Sequence, residues 1–119
     1  MKKILIATLL ICFSSTVANA KLKVIGKGDA MHLDPSGFPS AMKAKYDIMK
    51  VKCVKCHTLE RTIVAIQTGI APISGQPFDR TATKAYGIKM LRKPDSNMNK
   101  HEVKETVELM NYLLDEAGR

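Results

Sequence analysis

The stretch VKCVKCHTLE, residues 51–60, sets Cys53, Cys56 and His57 almost side by side. Two thiols and an imidazole at this spacing can do three kinds of chemistry. They can contribute to a structural zinc site, cycle between dithiol and disulfide, or hold a haem covalently. Structural zinc needs four closed ligands, usually two such pairs, and the chain offers one. His57 directly follows Cys56 and fits the same tetrahedron poorly, while His32 and His101 are not at finger spacing. A thiol–disulfide catalyst places Cys-x-x-Cys at a helix N-terminus after a strand. Here a Lys-rich helical pattern leads into the motif and no strand pattern precedes it.

The third chemistry uses every residue of the motif. Cys-x-x-Cys-His is the attachment pattern of a c-type haem. Two intervening residues let both sulfurs reach the vinyl groups on one edge of the porphyrin, and His57 then projects over the ring toward the iron. The expected cofactor is one covalently bound haem c, with Cys53, Cys56 and His57 as binding residues and His57 as a metal ligand.

Such attachment takes place outside the cytoplasm, and the N-terminus supplies a route. In MKKILIATLLICFSSTVANA, Lys2 and Lys3 precede an apolar run, and Ala18-Asn19-Ala20 is a small-residue cleavage box. Residues 1–20 read as a signal peptide cleaved after Ala20, giving a periplasmic protein. Cleavage removes Cys12 and leaves 99 residues (119 less 20), enough for one small domain. A chain this short usually needs a staple beyond its core. A Cys pair two residues apart closes almost no loop, so a cofactor is the better staple. With Lys2 and Lys3 gone, 17 basic residues face 11 acidic ones, a net charge of +6. That surface suits an acidic protein partner, whose encounter it would speed. Few aromatics and no recognition motif argue against nucleic acid.

The elements that must position the motif are helical. Residues 21–38 carry glycines, prolines and scattered charges and read as an extended arm ordered by lying on the domain, with DPSG as a turn. The domain proper is expected over residues 39–119. Ser40 is a candidate cap for a helix over residues 41–52, with Tyr46 and Met49 inward and Lys43, Lys45, Lys50 and Lys52 outward. Gly69, Pro72, Gly75 and Pro77 make residues 58–78 mostly loop, with a short helix near residues 60–67. A third helix fits residues 79–91 and stops before Pro94. Asn99 with Glu102 three residues on forms a capping-box pattern, after which Val103, Val107, Met110, Leu113 and Leu114 share one face. The fold class is all-α, three to four helices with long loops.

On these residues the chain resembles the small monohaem cytochromes c, in the class whose haem motif lies near the N-terminus. LDPSGFPSAMKAKYDIMKVKCVKCHTL resembles their lead-in helix and haem motif, and ETVELMNYLLD their terminal helix. GIAPISGQP resembles the loop past the proximal histidine, and GIKMLRKPDSNMNKHE the distal-ligand segment, where a Met precedes a Lys-Pro turn. The resemblance implies a cytochrome c-like fold around one haem, with Met90 as the distal ligand. Met98 stays an alternative, although as the residue before the Asn99 cap it also suits a hydrophobic staple with Val103. His101 and His32 are the bis-histidine alternatives. Two departures stand out. The first helix lacks the glycine that lets the terminal helices approach, leaving Ala41 or Ala44 to serve, and there is no Trp. Arg92, Lys93 and Tyr86 are then the candidates for holding a haem propionate.

The implied function is one-electron transfer with His/Met ligation, and no enzymatic bond chemistry. The soft thioether would favour the ferrous form and raise the potential. A monomer with a redox partner protein is expected, and peripheral membrane contact is left open. The rival readings are a sensor or small redox enzyme with a bis-histidine or open sixth position, and a haem subunit of a larger complex docked through the arm.

Overall fold

The computed structural model describes residues 22–119, so the expected signal peptide lies outside the described residues. The described chain is mostly helical. Helix α1 (Ser40–Lys52), α2 (Glu60–Thr68), α3 (Arg80–Leu91) and α4 (Lys100–Glu116) carry the core, and all four were expected within a residue or so. Among the described residues no helix is long and apolar enough to cross a membrane.

Local chemistry explains the helix ends. The Asp79 side chain accepts a bond from the Ala82 N–H at 2.9 Å and starts α3. At α4, Asn99 accepts from the Glu102 N–H while the Glu102 carboxylate accepts from the Asn99 N–H, both at 2.9 Å. The expected capping box is therefore formed in full. Helix α1 differs: Pro39 occupies the cap and Ser40 is already helical, no side-chain cap bond forms, and the Pro39 carbonyl accepts from the Met42 and Lys43 N–H groups at 2.9 and 3.0 Å. Gly69, at φ 71°, ends α2 in the left-handed region that glycine enters freely.

The arm is more structured than an extended segment. Strands β1 (Val24–Ile25) and β2 (His32–Leu33) pair antiparallel, Val24 opposite Leu33. Strands two residues long carry no readable alternation, which is why the sequence shows no sign of them. The arm is anchored through Leu33, which is fully buried. Its N–H donates to the Tyr46 hydroxyl at 2.8 Å, and that hydroxyl donates back to the Leu33 carbonyl at 3.2 Å. Phe38 sits edge-on to both Tyr46 and Tyr112, with centroids 5.9 and 5.6 Å away, tying the arm to α1 and α4.

Helix α4 is the central element. Leu109, Leu113 and Leu114 are fully buried against Tyr46 and Met49 of α1 and Ile63 and Ile66 of α2. Lys45, expected to point outward, is instead buried between α1 and α4. Its ammonium donates to Glu105 at 2.6 Å and Glu108 at 2.7 Å. These carboxylates, led by Glu105, raise its pKa and hold it charged. Burial is tolerable here because two acids three residues apart on α4 face the same point.

Neither Ala41 nor Ala44 mediates a close helix approach, since both are exposed. The close approach is between α3 and α4, at Gly87. A Cβ there would lie 2.7 Å from Val107 Cγ2 and 3.0 Å from Val103 Cγ1. Gly87→Ala gains roughly 1 kcal/mol of helix propensity. Forcing a methyl against two stiff β-branched side chains costs roughly 1–3 kcal/mol. Net destabilisation is expected in urea melts, and Val107→Ala should relieve it. A Gly87→Ala protein more stable than the parent contradicts this packing.

Candidate functional site

The Cys-x-x-Cys-His segment sits where α1 runs out. Cys53 closes the helix, its N–H bonded to the Met49 carbonyl, and residues Cys53–Lys55 form a 3-10 turn. This turn swings Cys56 and His57 away from the helix axis. Cys53 is half-buried against the core, Cys56 is exposed, and neither is in a disulfide. Burial pushes the Cys53 thiol up to about 11. A redox-active cysteine needs the opposite shift and a helix N-terminus, and this one follows a helix C-terminus. Among the described residues no three His, Cys, Asp or Glu side chains converge as a metal site, so structural zinc has no donor set there.

The His57 ring is half-buried and oriented by its own neighbour. Its Nδ1 lies 2.8 Å from the Thr58 carbonyl oxygen. A carbonyl can only accept, so Nδ1 carries the proton, which leaves Nε2 as the ring nitrogen available to a ligand. This is how ligating histidines are commonly held.

Met90 lies in the last turn of α3, half-buried. Met90, far along the sequence from Cys53, Cys56 and His57, lines the same cavity of about 340 Å³ as those three. Helices α1 and α4 supply Met49 and Met110 to its wall, and the loop after α2 supplies Ala71, Pro72 and Ile73. The volume falls within the roughly 300–1,000 Å³ of small-molecule sites. The wall is largely apolar, and its charges have one sign: Lys52, Arg61, Lys89 and Lys93 line it, with no Asp or Glu among the described lining residues. Of the three propionate candidates, Tyr86 and Lys93 line the cavity, while Arg92 is exposed and is not among its lining residues. Lys52, Arg61 and Lys89 were not foreseen at this cavity. A basic residue's proximity to a cavity depends on helix rotation, which the lysine-rich sequence does not single out.

Met98 also lines the cavity, together with Val103, its expected staple partner. His101 and His32 are exposed and are not among the lining residues. His32 instead lies in the hairpin, its Nδ1 2.9 Å from the Ala30 carbonyl. Compared with protein-family models, curated proteins and solved structures, the chain matches none.

Proposed function

We propose that the protein is a cytochrome c-like, periplasmic electron carrier with one covalently bound haem c. The observation that carries the reading is the convergence of Cys53, Cys56, His57 and Met90 on one apolar cavity. The donor set fits the group. The Cys53 and Cys56 thiols would form the thioether links, and the His57 Nε2 would ligate the iron. Soft thioether sulfur is present on the wall at Met90, the proposed distal ligand. The basic lining fits a ligand whose carboxylates need partners, with Lys93 and Tyr86 as donors. When bound, the haem supplies a one-electron ferric/ferrous couple.

The chain's own residues would keep water from the iron and hold both axial donors still, so that oxidation state changes without rearrangement. Met49, Met110 and Phe78 are buried residues on the cavity wall and supply the water-excluding side. On the cavity wall Ile73 is exposed, and exposed Val54 and Lys55 lie between the two cysteines in sequence. An acidic redox protein suits such a mouth, in the small, transient encounters typical of electron transfer.

Intact mass and an oxidised-minus-reduced absorption spectrum test the reading. The exported protein should weigh residues 21–119 plus one haem and show a reversible one-electron difference spectrum. A bare chain, a disulfide-only mass or bound zinc would sink it.

A further inference from the structure

Lys52 stands directly before Cys53, at the end of α1, and its side chain does not point to solvent. Its Nζ donates to the Asn97 carbonyl at 2.7 Å and lies 3.2 Å from a Glu102 carboxylate oxygen. The Lys52 and Glu102 side chains are each only 20% exposed. Glu102 uses its other oxygen to close the capping box on Asn99. One ammonium thus holds both flanks of Met98, which lines the cavity, as does Lys52 itself.

The other hydrogen bonds of the held segment are short-range. Residues 92–99 link α3 to α4 through a 3-10 turn, Pro94–Ser96. Within that turn the Ser96 hydroxyl donates to the Lys93 carbonyl at 2.9 Å. Asn97 then adopts φ 49°, the only non-glycine residue with positive φ among those described. Asparagine enters this left-handed region more readily than other non-glycine residues. The bond from Lys52 lands on that residue.

We propose that Lys52 is a positioning residue that latches loop 92–99 across the cavity, joining the cysteine segment to the wall that carries Met90 and Met98. An exposed lysine–glutamate pair contributes little. This contact differs in including a main-chain carbonyl and in joining two segments 45 residues apart in sequence. With the latch open, the loop between the two methionines is free to move away, and small molecules gain access to the space it covers. The spectroscopic part of the test rests on the haem reading, whereas the latch itself does not.

Two variants of the full exported protein, Lys52→Ala and Lys52→Met, separate bonding from packing, since methionine keeps most of the stem. Amide hydrogen exchange is read over residues 92–99 and over α2 as an internal control. The expected result for both variants is at least tenfold faster exchange in the loop, with α2 unchanged. In the ferric protein, imidazole should bind at least tenfold faster. Unchanged loop exchange overturns the latch, and so does an equal rise in α2, which would mean general destabilisation. Local loosening with unaltered imidazole binding overturns the positioning role. A protein that carries no haem refutes the proposed function instead, and the exchange measurement still decides the latch.

Discussion

Cys53→Ala/Cys56→Ala should leave the exported chain without covalent haem and with little of its native helicity. The magnitude follows from the cavity. An unfilled apolar space costs roughly 24 cal/mol per Å³. For about 340 Å³ that is about 8 kcal/mol, an upper bound because the mouth admits water. A domain this small has about 5–15 kcal/mol of stability in total. Losing the occupant therefore removes a large share of what holds the fold together, as in other small domains whose cofactor completes the core. Circular dichroism and a urea melt of the double variant check this. Full helicity with a cooperative transition at the parent's midpoint would show that α1–α4 stand without an occupant.

The second large effect is expected at Met90. Met90→Ala should abolish the thioether–iron charge-transfer band, lower the midpoint potential and open the iron to exogenous ligands, because the soft donor that favours the ferrous form is gone. Met98→Ala should keep the band and cost about 1–2 kcal/mol of stability, since a half-buried apolar side chain is truncated beside the α4 cap. The reverse pattern, with the band lost in Met98→Ala alone, would exchange the roles of the two methionines. Absorption spectra of the two ferric variants decide it.

Features that depend on near neighbours were legible in the sequence. The Asn99 cap and the Gly69 break each sit within a few residues of the helix end they set, whereas Asp79, read as the first residue of α3, is its cap. Features that depend on helix rotation or on distant partners were not. Lys45 sits among lysines that point to solvent, and only the placement of Glu105 and Glu108 some sixty residues later turns it inward. Gly87 looks like a weak point in a helix until Val103 and Val107 are seen against it. Met90 and Met98 both reach the cavity wall, so spacing alone separates neither from the other. The latch at Lys52 was equally hidden, because its acceptor is a backbone carbonyl, which every residue has.

The wall opposite the cysteines is made late. Val103, Thr106 and Met110 belong to α4, some fifty residues downstream of Cys53 and Cys56, yet all line the same cavity. A chain delivered N-terminus first presents both thiols before that wall exists. Once α4 has docked, Cys53 is half-buried with its thiol raised to about 11, and little thiolate remains at neutral pH. Order of appearance along the chain therefore sets a window for Cys53: its thiol is most accessible while the fold is unfinished, and completing the core covers it, whereas Cys56 stays exposed.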